Sequence, residues 1–206
     1  MYYDLTIILS SALFWVYIDS VKLFSNERVI NSALIHACIS GIGNSVGLAI
    51  YPIIVYDYSQ IADNVPPFIS TIALISFGYS FYDLYIGIKS KKMDNMLHGF
   101  IFVSTYVGAS YYHVISMTSV NMITETSSIF LNLRPYKHKW IDIAFAVTFF
   151  VYRLILAPTF LTMYIVNPNN NGRAFAVFEA LLVVPLNVYW FSLIVKKFVV
   201  DKKIEI

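Results

Sequence analysis

Glu125-Thr126-Ser127-Ser128-Ile129-Phe130-Leu131-Asn132-Leu133-Arg134 sets a carboxylate, three hydroxyls and an amide within a chain that is otherwise largely hydrocarbon. The 206 residues are 58% hydrophobic and 13% charged, with a mean hydropathy of +0.68. Charged residues make up about 25% of an ordinary soluble domain. Half that share, together with long apolar runs, is the composition of an integral membrane protein. An ionisable residue at membrane depth is costly, so it turns toward a bundle interior and a partner. How this stretch is read decides the architecture: six segments cross if it is a loop, seven if it spans.

Charge settles the choice. A helix needs roughly 20 mostly apolar residues to cross the hydrocarbon core, and the sequence offers segments at about 5–24, 30–56, 67–89, 95–117, 119–133, 140–165 and 174–197. Cytoplasmic loops are enriched in Lys and Arg. Lys22 and Arg28 flank the first loop, Lys89, Lys91 and Lys92 fill the third, and Arg134, Lys137 and Lys139 fill the fifth. Lys196, Lys197, Lys202 and Lys203 mark the C-terminus, whereas the second loop holds Asp57 and Asp63, the fourth is a bare turn, and the sixth has only Arg173. These clusters fall on one side only if 119–133 crosses. The expected fold is an all-α polytopic bundle of about seven membrane segments, one short and polar. Its N-terminus is outside or lumenal and its C-terminus cytoplasmic. Pro66-Pro67 opens the third segment, Asn167–Gly172 is a turn cluster, and residues 1–206 form a single domain.

Several classes drop out. A formal charge of +2, spread in short clusters, does not make a nucleic-acid surface. Cys38 is the single cysteine, which excludes an internal disulfide and a cysteine-based zinc site. Met1-Tyr2-Tyr3-Asp4 lacks the basic start of a secretory signal, so Leu5–Phe24 reads as a retained segment. Asp201-Lys202-Lys203-Ile204-Glu205-Ile206 approaches a dilysine retrieval signal, one place out of register. There is no Gly-x-Ser-x-Gly elbow, Walker loop or dinucleotide fingerprint, and no cofactor is expected.

Gly43-Asn44-Ser45-Val46-Gly47 matches the small-residue pattern that lets membrane helices approach closely, within the bundle or in a homodimer. Tyr2, Tyr3, Tyr51, Tyr56 and Tyr58 sit near boundaries, as an interfacial belt does. Tyr79, Tyr82, Tyr106, Tyr111 and Tyr112 lie deeper or near the outer boundary, as packing or cavity-lining residues.

Asp83 precedes Lys89 by six residues, ~9 Å of helix, and His98 follows Lys92 by six. Glu125 lies about nine residues before Arg134, roughly 13 Å in. Three helices thus bring two acids and an imidazole to similar depth, either as a structural polar network or as the wall of a functional cavity. Arg153 lies fourteen residues beyond Lys139, ~21 Å from the cytoplasmic side, and needs an anionic or carbonyl partner. His98 and His113 are ~22 Å apart on one helix and cannot share a metal; His36 approaches His98 only in depth, and His138 belongs to a basic loop.

Gly78-Tyr79-Ser80-Phe81-Tyr82-Asp83-Leu84, then His98, the Glu125–Arg134 string, and Arg153 with Ala157-Pro158 resemble the TLC-domain family, which contains the ceramide synthases and non-synthase relatives. The resemblance covers residues 30–200 and is strongest in Glu-x-Ser-Ser-x-Phe-Leu-Asn-Leu-Arg, which is similar to the non-synthase members. It implies about six core helices around a lipid-accessible cavity in the endoplasmic reticulum or another endomembrane. Ceramide synthases carry two adjacent histidines where this chain has Leu97-His98, and Ile101 stands where a threonine would follow.

The expectation is a membrane protein that binds or handles lipid and influences lipid metabolism and homeostasis, with membrane lipids as partners. Ser127, Ser128, Asn132, Arg153, Tyr82 and Tyr106 are its candidate cavity residues. One alternative is a divergent acyltransferase using acyl-CoA and a sphingoid base. There His98 is base or nucleophile, Glu125 or Asp83 orients it, and basic loops attract the phosphates. The other alternative is an assembly partner that docks through Gly43 and Gly47.

Overall fold

The computed structural model describes residues 2–20, 32–51, 66–91, 93–112, 115–166 and 172–204. Among them there is no strand, and the helices join into seven rods. These are α1 (Tyr2–Ser20), α2 (Ser32–Ile50), α3 (Pro67–Ser90), α4 (Met93–Tyr111), α5 (115–133), α6 (Lys139–Val166) and α7 (Arg173–Ile204). By length and apolarity, α2, α3, α6 and α7 (to Phe198) each suffice to cross a membrane. The stretch of Glu125 is helical, preceded by a 3-10 turn over Met122–Thr124. Lys22, Arg28, Asp57, Asp63, Tyr56, Tyr58, Lys92, His113 and residues 167–171 lie outside the described residues, as do the side chains of Tyr2, Tyr3, Lys202 and Lys203.

Local chemistry sets the ends of the rods. Pro67 stands in the first turn of α3, where a missing N–H costs nothing. Lys91 closes that helix at φ 54, its N–H reaching the Gly87 and Ile88 carbonyls, and Lys137 at φ 55 ends the turn after α5. A cation at a helix C-terminus complements the dipole.

Large apolar side chains face outward on every side: Leu13 and Leu181 are 70% exposed, Ile50 68% and Phe100 62%. An apolar surface of this extent fits a lipid surrounding. Inside, Ile69, Ala109, Val120, Leu161, Phe175 and Ala176 pack one end of the bundle, where α3, α5 and α7 begin and α4 and α6 finish.

Two glycines decide how closely the rods approach elsewhere. A Cβ on Gly41 would stand 2.5 Å from the Thr126 backbone nitrogen, so α2 lies directly on the α5 backbone beside Glu125. At Gly99 it would stand 2.6 Å from the Leu84 nitrogen, which seats α4 on α3 next to Asp83 and His98. Gly43 and Gly47 meet the side chains of Ile72 and Ile69. Their face therefore packs against α3 inside the bundle, the first of the two placements the small-residue pattern offered.

Candidate functional site: a polar cavity beside a packed core

The end opposite the packed core is hollow. A cavity of about 650 Å³ is lined by Asp83 from α3, His98 from α4, Glu125, Ser127, Ser128 and Asn132 from α5, Arg153 from α6 and His36 from α2. Apolar side chains complete it, including Phe145, Phe149, Leu193 and Ile194. Arg134 stands at the mouth, its Nε donating to Asp142 Oδ1 at 2.7 Å. A smaller chamber of about 60 Å³ lies alongside, sharing His98, Arg153 and Trp190 as walls.

Two polar pairs hold the cavity. His98 Nδ1 lies 2.7 Å from Asp83 Oδ2. A carboxylate only accepts, so Nδ1 carries the hydrogen; in the neutral ring Nε2 is then the lone-pair nitrogen, the arrangement that orients a base or nucleophile. The ring also tilts against Phe102 at 4.5 Å. Deeper in, Arg153 Nη2 donates to Glu125 Oε1 at 3.2 Å and to Ser128 Oγ at 2.9 Å, while Nε donates to Ser127 Oγ at 2.8 Å. The guanidinium also rides over the Phe149 ring at 5.3 Å. Of the two acids weighed for orienting His98, Asp83 does so and Glu125 is committed to Arg153.

Helical rise alone put Arg153 some 8 Å deeper than Glu125. The pair forms nonetheless, because helical side chains point back toward the N-terminus and Arg is long. Local winding helps. Residues Phe150–Leu156 form a π-helical segment in which the Ala157 N–H bonds the Tyr152 carbonyl. The next donor in that register is Pro158, which has no N–H, so the Arg153 carbonyl is left over. Asn187 Nδ2 reaches it at 3.5 Å.

Ser127, Ser128 and Asn132 line the cavity, although each also bonds its own helix or Arg153: Ser127 Oγ donates to the Thr124 carbonyl and Asn132 Nδ2 to the Ser128 carbonyl. Tyr82 and Tyr106, candidate cavity residues whose default reading was packing, are not among the residues that line either chamber. Tyr82 is one residue from Asp83 and so turned ~100° away; its hydroxyl accepts from Ser32 at 3.0 Å within a cluster with Trp15 and Tyr79. Tyr106 stacks on Phe77 at 4.7 Å, and Thr105, one residue earlier, takes the place on the His98 face.

Two groups emerge only from the structure. His36 is 2% exposed, stacked 3.8 Å above Tyr79, and its Nε2 has no hydrogen-bond partner among the described residues. Glu179 is 5% exposed in the smaller chamber; its Oε1 accepts from Asn121 Nδ2 at 3.1 Å and its Oε2 has no such partner. An acidic residue inside the apolar run 174–197 was signal enough to find Glu179. His36 gave no comparable signal, since one imidazole on an apolar helix is usually a packed one. Among the described residues, no three His, Cys, Asp or Glu side chains converge as a metal site.

No curated protein sequence and no solved structure matches the chain. The model of the TLC domain matches residues 31–196, most of the sequence and every helix that lines the cavity. This integral membrane protein belongs to the TLC-domain family.

Proposed function

We propose that the chain is a multi-pass lipid-handling protein that holds a lipid in the cavity of about 650 Å³ and influences membrane lipid composition. The observation that carries this reading is a cavity lined both by polar groups from five helices and by the apolar side chains of Phe145, Phe149, Leu193 and Ile194. Such a lining suits a molecule with a polar end and an apolar body. All seven rods cross in this reading, including 115–133, with the basic clusters and the C-terminus cytoplasmic and the N-terminus lumenal. The setting is the endoplasmic reticulum or another endomembrane, and the family's non-synthase branch is the better fit because Leu97 stands beside His98.

One observation favours a second reading as an acyl-CoA-dependent acyltransferase: the 2.7 Å Asp83–His98 contact at the cavity wall. In that reaction Nε2 takes the proton from an acceptor hydroxyl or amine as its oxygen or nitrogen attacks the thioester carbonyl. The C–S bond breaks, and the CoA thiolate leaves and receives the proton. The deciding experiment is mass spectrometry of lipid co-purifying with wild type and His98→Ala after exposure to labelled acyl-CoA. Bound lipid without transferred label supports lipid handling alone. Label transferred in wild type only establishes the transferase. No specific lipid in either protein overturns both.

A further inference from the structure

The charges around the large cavity cancel or come out negative. Arg153 is matched by Glu125 at 3.2 Å and Arg134 by Asp142 at 2.7 Å. Asp83 is matched only by His98, so that pair is neutral or anionic in either protonation state. Among the described residues that line the cavity, no Lys or Arg is left without a carboxylate. A phosphate or carboxylate head brought inside would lose its hydration without gaining a cation.

The unmatched polar group in the wall is an imidazole. His36 is held by rings on two sides, stacked on Tyr79 within 5° and meeting Trp15 edge-on at 6.0 Å. Its orientation is set by packing, yet Nε2 bonds nothing among the described residues. A buried polar atom left so costs about 1–3 kcal/mol, which a bound group could recover. The backbone points the same way: a π-helical segment starts at Cys38, two residues after His36, and another holds Arg153. Such segments concentrate at functional sites.

We infer that the cavity takes the uncharged polar head of a lipid, a hydroxyl, ester or amide group hydrogen-bonded to His36 Nε2, and excludes phosphate-bearing heads. This rests on the lipid-handling reading and adds the class of lipid and the residue that anchors it. His36 serves in binding, with Asp83–His98 on a neighbouring wall of the same cavity.

The test offers the full chain in detergent an equimolar mixture of diacylglycerol and phosphatidic acid with matched chains, and reads retained lipid by native mass spectrometry. Wild type is expected to keep diacylglycerol at least about tenfold over phosphatidic acid, since one buried hydrogen bond of ~1.4 kcal/mol corresponds to tenfold. His36→Phe keeps the ring stack and removes Nε2; it is expected to lose most of the diacylglycerol while its melting temperature holds or rises. His36→Gln, which restores a polar nitrogen, is expected to recover part of the binding. Equal or greater retention of phosphatidic acid overturns the inference while leaving lipid handling intact, as does unchanged diacylglycerol binding by a folded His36→Phe. If wild type retains neither lipid nor any lipid from the cell, the inference and the reading beneath it both fall.

Discussion

Where α3, α5 and α7 begin, the bundle is filled with Ile69, Ala109, Val120, Leu161, Phe175 and Ala176, and it depends on shape. At the other end, the same helices separate around about 650 Å³, and ion pairs and ring stacks bridge the gap. In lipid the hydrophobic effect cannot drive helices together, so each end relies on what is left: close van der Waals contact at one, polar bonds at the other. A hollow that must stay open cannot be held by filling it. Buried polar pairs can hold its walls apart and together, provided that each has its partner.

The largest expected effect breaks the hollow end. Arg153→Ala strands Glu125 as a buried charge and should cost about 3–5 kcal/mol, read by unfolding in detergent micelles. Replacing both partners, Glu125→Leu with Arg153→Leu, should regain most of that, because two buried charges are removed together. A single variant losing under ~1 kcal/mol would mean that the pair does not hold the walls. Next comes the packed end. Ile69→Ala, at 2% exposure, should cost about 3 kcal/mol through the hole it leaves, with lipid retention unchanged. Altered lipid retention there would show that the two ends are not independent.

Gly41→Ala tests the boundary between the two regimes, since its Cβ would meet the α5 backbone at 2.5 Å rather than a movable side chain. About 1–3 kcal/mol is expected, along with weakened lipid retention because Glu125 moves with Thr126. The smallest effect reverses sign. His36→Phe should change stability by less than ~1 kcal/mol, and upward, because an unpaired nitrogen is removed from a stacked ring. A loss above that would show that the imidazole is bonded within the fold, not waiting for a ligand.

Much of the site was legible residue by residue. Asp83 and His98 each stand six positions from a basic loop, and equal depth on successive helices is close to a contact. Glu125 needed an inward face, and Arg153 needed an acid. Depth alone could not join them, since Cα levels ignore a long side chain pointing back along its helix and a π-helical segment that alters the register. The place of Tyr82 and Tyr106 was not legible for a related reason: depth says nothing of azimuth, and one residue of offset rotates a side chain ~100° around the helix.

Composition and charge by themselves determined that this is a helical membrane protein, because apolar length and the cost of buried charge are one-dimensional properties of a chain. The Glu125–Arg134 string and the residues in step with it were enough to point to the TLC-domain family. Only the tertiary structure decided which acid holds His98, which acid holds Arg153, that Gly43 and Gly47 are spent on Ile72 and Ile69, and that His36 lines the large cavity and Glu179 the smaller chamber. Those outcomes depend on which faces of separate helices meet. That is settled by contacts of a few ångströms between residues far apart in sequence, as where Gly41 meets Thr126.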